Sequence, residues 1–280
     1  MNEEIEHSYL PIRGLKLHIA HIGKGEAGTL LFVHGFPEVW YSWRHQMVAA
    51  AAAGFRAIAP DLPGYGLSET PSDLAQASWE GLVKDLLAIL DSLAISKVFL
   101  VAKDFGAKPA FDLALCYPDR EPGRAEADFG RFDVKRIMRT IYILFSRSEV
   151  PVAKQGQEIM DLADDSTPMP DWFSEEDLSV YTNLFEKSDF ITALQIPYRT
   201  KPAKAEYAKP RFQMPMFVIM GQKDYILKFP ALKDYMSSEK LKDIAPDHEI
   251  TYIPEGSHFV QEQFPELVNR LMIDFLCKHG

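Results

Sequence analysis

Little in this sequence of 280 residues points to an unusual environment. Cysteine is nearly absent: Cys116 and Cys277 stand far apart and without metal-ligand spacing. Neither a disulfide framework nor a zinc knuckle can be written, and this usage fits a reducing cytosol. Basic residues are outnumbered, with 30 Lys and Arg against 40 Asp and Glu and a formal charge of −10. A binder of nucleic acid or of anionic membrane needs a basic face, so both partner classes are set aside. Long apolar runs are missing too. Met47 to Ala53 is the best of them, far short of the roughly 20 residues of a membrane span. The start, Met1-Asn2-Glu3-Glu4, is acidic where a secretory leader would be basic and then apolar. Cys277 is followed by Lys278, His279 and Gly280, a poor prenylation box. No internal repeat or low-complexity tract occurs. These absences predict a soluble, acidic, cytoplasmic protein.

What is present is the composition of a globular domain, 47% apolar and 25% charged, long enough for one core without staples. The first third alternates strands and helices. Leu15 to Ile22, Leu30 to Val33, Phe55 to Ala59 and Val98 to Ala102 read as strands. Trp43 to Ala53, Leu82 to Leu93 and Ala107 to Cys116 read as helices. That alternation predicts a parallel sheet covered on both faces. From residue 121 to residue 210 the texture turns acidic and amphipathic, as in Ser174-Glu-Glu-Asp177, an N-cap followed by acids that opens a helix through Glu186. Met216 to Met220 and Glu249 to Ile253 supply two more strands, and a helix from Pro265 to Cys277 closes the chain. The expected organisation is a core in two parts, residues 1–120 and 211–280, with a helical cap over 121–210.

The most informative segment is Val98-Phe-Leu-Val-Ala-Lys-Asp-Phe-Gly-Ala107. A buried strand ends in small-x-Asp-x-Gly before a helix, which is the pattern of a nucleophile elbow with aspartate in place of serine. The nucleophile of such a turn sits in a strained backbone region that aspartate tolerates better than most residues. Partners follow in the required order, each just beyond a strand: Asp224 in Gly221-Gln-Lys-Asp224, then His258 in Glu255-Gly-Ser-His258. Upstream, Val33-His-Gly-Phe-Pro-Glu38 ends a strand and can aim a backbone amide at a developing oxyanion, together with that of Phe105.

Four motifs carry a resemblance: His34-Gly-Phe-Pro-Glu38, Tyr41-Ser-Trp-Arg-His45, Asp61-Leu-Pro-Gly-Tyr-Gly-Leu-Ser68 and Lys103-Asp-Phe-Gly106. With Glu121-Pro-Gly-Arg-Ala-Glu-Ala-Asp-Phe129 and Gly256-Ser-His-Phe-Val260, the chain resembles the soluble, plant-type epoxide hydrolases of the α/β-hydrolase superfamily nearly end to end. The resemblance implies an α/β-hydrolase fold, a mostly parallel sheet with an inserted helical cap. It implies hydrolysis of an epoxide to a vicinal diol through an alkyl ester on Asp104. His258 would be the base, Asp224 would orient it, and Phe36 and Phe105 would give the oxyanion amides. Tyr198 would donate to the epoxide oxygen, and His34, Pro37 and Glu38 would line the substrate pocket. The implied partners are a small apolar epoxide and water, with no metal or organic cofactor, in a monomer or homodimer. Two other readings stay open, a non-catalytic ligand-binding homologue and an aspartate-nucleophile dehalogenase.

The sequence departs from the family at three points. Lys103 stands where histidine is usual and Phe105 where tryptophan is usual. After the elbow helix, Ala114-Leu-Cys-Tyr-Pro-Asp-Arg120 runs straight into Glu121-Pro-Gly123, where the family has another core strand and a segment carrying a second cap tyrosine. From Asp119 to Asp128 only Ala125 and Ala127 are apolar, so no buried strand can be written there. One core strand is therefore expected to be missing. A gap of about 4.8 Å between strands would strain the placement of Asp224 and His258 relative to Asp104 and weaken turnover. Three further features are set aside. Gly23-Lys-Gly-Glu-Ala-Gly28 matches a dinucleotide fingerprint but opens no helix and is a turn. His18 and His21 read as sheet residues rather than metal ligands, and Asp61 reads as structural.

Overall fold

The computed structural model describes residues 4–73, 78–107, 128–188, 190, 192–194, 214–229 and 239–280. Two strands open the chain, β1 (Glu6–Ile12) and β2 (Leu15–Ile22), antiparallel across a tight turn at Arg13 and Gly14. Strand β1 lies outside the expected set of strands. It is a polar edge strand with Pro11 inside it and mostly exposed or half-exposed side chains, so it carries no buried apolar run to read. Then follow β3 (Thr29–Val33), a 3₁₀ turn (Trp40–Trp43) leading into α1 (Arg44–Ala52), β4 (Arg56–Pro60), α2 (Trp79–Ser92) and β5 (Phe99–Ala102). Ser78 caps α2 by accepting from the amide of Gly81. The Gly23–Gly28 segment joins β2 to β3 as a turn.

After β5 comes a helical segment with α3 (Val134–Phe145) and α4 (Glu175–Lys187). Asp133 caps α3, and Ser174 forms a reciprocal capping box with Asp177 at the start of α4, matching the expected N-cap. The chain closes with β6 (Met216–Gly221), α5 (Glu239–Ile244), β7 (His248–Ile253), a single helical turn α6 (Val260–Gln263) and α7 (Pro265–His279). The stretches 108–127 and 195–213 lie outside the described residues. With them go the elbow helix expected from Ala107 to Cys116 and the position of Tyr198.

The strands pair in the order β1-β2-β4-β3-β5, antiparallel at β1/β2 and β2/β4 and parallel at β4/β3 and β3/β5. Strands β6 and β7 form a separate parallel pair. Among the described residues no ladder joins β5 to β6. The stretch 119–128, where the sequence leaves no room for a core strand, falls almost wholly outside the described residues.

Other contacts hold the two parts together. Helix α7 packs Met272 and Leu276 into the apolar cluster under β2, β3 and β4, beside Met47 and Ala50 of α1. Gln46 donates to the carbonyl of Gln261 at 2.9 Å and to Asn269 at 3.0 Å, while Asn269 returns a bond to the carbonyl of His45 at 3.2 Å. The β6–β7 end is thus registered to the first sheet through α1. A larger cluster on the other face joins Ile58, Leu82 and Ile89 to Tyr142, Tyr181 and Phe185 of the helical segment.

The loop after β4 is organised by Asp61, which is fully buried. Its carboxylate accepts from the amides of Trp40 (2.8 Å) and Leu67 (3.0 Å) and contacts Nδ1 of His18 at 2.9 Å. His18 is accordingly a buried sheet residue held by its neighbour. Asp61→Ala leaves these buried donors unmatched, so it is predicted to cost about 3–5 kcal/mol, read as a lower urea midpoint.

Candidate active site

Three loops meet at the carboxyl ends of the strands. The first follows β3 and carries His34 to Glu38; the second is the elbow after β5; the third follows β7 and carries His258. The elbow has the predicted strain, since Asp104 has a φ of +50°. Two glycines permit the close approach of the first two loops. A Cβ on Gly106 would lie 2.5 Å from the carbonyl oxygen of His34, and one on Gly35 would lie 2.5 Å from Cβ of Asp104. Neither obstacle is a flexible side-chain end, so both positions require glycine.

His258 lies between two carboxylates. Its Nδ1 is 3.1 and 3.2 Å from the two oxygens of Asp224, and its Nε2 is 3.6 Å from Oδ2 of Asp104. The amide of Phe36 donates to Oδ1 of Asp104 at 3.0 Å. All of this is buried or nearly so. The three groups thus lie together, without the misplacement expected from a missing strand. The loop of His258 is held to the first sheet through α1, α6 and α7.

Charge follows from this packing. Burial disfavours the imidazolium of His258, but Asp224 and Asp104 outweigh burial and Lys103, and the pKa is pushed up to about 9. Burial would raise the carboxyl of Asp104, yet His258, Lys103 and the Phe36 amide hold it below the usual range. The resting site is thus an ion pair at neutral pH. The surrounding surface is aromatic: Phe36 contacts Phe190, which packs on Phe129 and Phe185, while Tyr225 lies against His258 and stacks on Phe145.

The other expected site residues divide. Phe105 is half-buried in the elbow turn next to Asp104. Pro37 is buried in the first loop. His34 is fully enclosed, with Nδ1 on the carbonyl of Gly35 (2.8 Å) and Nε2 accepting from the amide of Leu62 (3.0 Å), so it braces the loop. Burial lowers its pKa, which suits that neutral role. Glu38 is fully buried beneath the loop and bonded to Lys103, Gln261 and the amide of Gly35 rather than turned toward an open pocket.

A second polar cluster adjoins the site and has no signal in sequence spacing. Buried Glu262 accepts from Tyr142 of α3 (3.1 Å), from Tyr181 of α4 (3.1 Å) and from Arg44 of α1 (2.6 Å). Arg44 also meets Asp177 of α4 at 2.8 Å. Burial raises the carboxyl of Glu262 most, Arg44 opposes it, and the pKa is pushed up to about 7. Only the quoted motif Tyr41-Ser-Trp-Arg-His45 drew attention to Arg44. No group of His, Cys, Asp and Glu suited to a metal ion occurs among the described residues, and no helix among them is long and apolar enough to cross a membrane.

His258 is predicted to titrate with a midpoint near 9 in the folded protein, and Asp224→Asn to lower it, as read by NMR of the imidazole carbons. The folded value lies above the unfolded value of 6.5. Its stabilisation is therefore complete below pH 6.5 and is lost as pH rises through 9. Urea midpoints of the wild type and His258→Gln should converge across that window.

Comparison with known proteins agrees with this arrangement. Residues 30–271 match the model of the alpha/beta hydrolase family. Epoxide hydrolase 2 of Siraitia grosvenorii is 31% identical, with 99% of each chain covered. That alignment runs over 320 positions against the 280 residues of this chain, so at least 40 positions face gaps here. An epoxide hydrolase structure from Vigna radiata superposes with a TM-score of 0.85 at 30% identity, covering 98% of each chain. A laboratory-evolved variant of potato epoxide hydrolase gives 0.84 at 30% identity, covering 98% of this chain and 99% of its own. The family model over residues 30–271 and these full-length relatives show that the chain belongs to the α/β-hydrolase family, as a hydrolase of its plant-type epoxide hydrolase branch.

Proposed function

We propose that this protein hydrolyses small apolar epoxides to vicinal diols through an ester on Asp104. The observation that carries the reading is His258 held between Asp224 and Asp104, with the Phe36 amide on the other oxygen of Asp104. An ionised carboxylate needs no base in order to attack. One oxygen of Asp104 bonds to an epoxide carbon, the ring C–O bond breaks, and its electron pair goes to the ring oxygen. Tyr198, outside the described residues, is the proposed proton donor to that oxygen. A carboxylate suits this chemistry because it leaves an ester, which water can cleave, whereas an alkoxide nucleophile would leave a stable ether.

Ester formation changes the electrostatics of the base. It removes the negative charge of Asp104 that helped to hold a proton on His258. The imidazolium can then give up its proton, which replaces the one Tyr198 gave to the ring oxygen, and the neutral imidazole takes a proton from water, with Asp224 supporting the new imidazolium. Hydroxide attacks the ester carbonyl carbon. The developing oxyanion lies on the oxygen that already accepts from Phe36, and Phe105 is the proposed second amide. Collapse expels the diol and restores Asp104. The aromatic wall of Phe36 and Phe190 supports an apolar substrate. Residues 121–210 are the proposed helical cap, and the cytosol the proposed compartment.

Single turnover with an epoxide in oxygen-18 water tests the reading: label should enter the Asp104 carboxylate, read by peptide mass analysis. Asp104→Ala should lose at least about 10³-fold in turnover and carry no label. Halide release from a haloalkane in place of diol formation would assign a dehalogenase. Ligand binding without a covalent adduct would assign a receptor.

A further inference from the structure

Lys103 is one of two elbow residues that depart from the family, and its side chain is 13% exposed. Its backbone is fixed on both sides, with the amide on the carbonyl of Val33 (3.3 Å) and the carbonyl accepting from Gly106 (2.8 Å). The ammonium is 3.0 Å from Oε1 of Glu38 and 4.6 Å from the centroid of the Phe259 ring. The same Oε1 accepts from Gln261 at 2.7 Å, and the other oxygen of Glu38 accepts from the amide of Gly35 at 3.3 Å. Glu38 belongs to the loop that presents the Phe36 amide, Lys103 to the elbow that presents Asp104, and Phe259 and Gln261 to the loop that presents His258. One buried contact set therefore touches all three loops.

We propose that Lys103 is a positioning residue of the active site, whose ammonium ties the three loops at Glu38 and acts as a fixed positive charge opposing the proton on His258. The inference rests on the hydrolase reading for its consequence, since there His258 must release a proton in every cycle. The groups around His258 define the balance. Asp224, from the loop after β6, and Asp104, from the elbow, both favour the imidazolium. The Tyr225 ring lies 5.3 Å from the imidazole in a tilted contact, and Phe259 meets it edge to face at 5.3 Å. Beyond Phe259 lie Glu38 and Glu262, the latter paired with Arg44. Lys103 works against the two carboxylates and lowers the proton affinity of His258, while also favouring ionised Asp104. A neutral residue at this position would leave a buried carboxylate at Glu38 without its cation and an imidazolium with less reason to dissociate.

A histidine titration tests this without needing turnover. In protein labelled at the imidazole carbons, with His258→Gln used to assign the resonance, Lys103→Gln should raise the His258 midpoint by about one pKa unit, tenfold in proton affinity. Glutamine keeps a hydrogen-bonding side chain at Glu38 but brings no charge. Lys103→Arg should restore the wild-type midpoint, and Glu38→Gln should lower it, because it leaves the ammonium unopposed. Where epoxide is turned over, the acid limb of kcat should move with the titration, upward in Lys103→Gln. An unmoved midpoint in folded Lys103→Gln protein overturns the proposal, as does Lys103→Arg behaving like Lys103→Gln. If Lys103→Gln does not fold, Glu38→Gln decides, and an unmoved or raised midpoint there overturns it. A shifted titration in a protein that turns over no epoxide would remove the functional reading and leave the role of Lys103 standing.

Discussion

The docking of α1 against the last two helices is the interaction on which the site depends. In a continuous parallel sheet, backbone ladders set the spacing between the strand before the nucleophile and the strands before the acid and base. Here the described strands form one sheet of five and one of two, with no ladder between β5 and β6. The position of His258 relative to Asp104 is instead set by side chains. Met272 and Leu276 seat α7 beside Met47 and Ala50, and Gln46 and Asn269 fix the register. Among the described residues it is this packing that brings the imidazole to 3.6 Å from Asp104.

The charges beneath the site alternate in sign. Asp224, His258, Asp104, Lys103 and Glu38 follow one another, and Glu262, Arg44 and Asp177 continue the alternation toward the helical segment. A buried charge is tolerable only when paired and hydrogen-bonded, so each member limits its neighbours. The aromatic stack threads the same region: Tyr142 lies between Phe173 at 4.0 Å and Phe259 at 4.3 Å, and Lys103 sits over Phe259. Helices α3 and α4 thus reach the base through rings and hydroxyls rather than through backbone.

Much of the fold was legible because its signals are local. The apolar run of β3 and the N-cap of Ser174 report on their own few residues, and the structure places those elements within a residue or two of where periodicity puts them. Strand β1 was not legible, because an edge strand needs no apolar face on its outer side and Pro11 argues against it. The elbow, Asp224 and His258 were legible because chain order and strand context constrain them. His34 and Glu38 were legible as a motif but not in their surroundings: spacing cannot tell a residue that faces a pocket from one enclosed beneath the loop. The partnership of Glu262 with Tyr142 and Tyr181 left no trace in the sequence, since its members are separated by 120 and 81 residues.

The few cysteines, the acidic balance and the lack of long apolar runs framed the expected environment, and the motifs pointed to the family and to Asp104, Asp224 and His258 in that order. The expectation of a missing strand also came from sequence alone, because a stretch with two alanines as its only apolar residues cannot form a buried one. What only the tertiary structure decided is how Asp104, Asp224 and His258 come together. The α1–α7 interface and the Glu38–Gln261 contact join residues more than 200 positions apart in the chain, and no local pattern reports on such pairs.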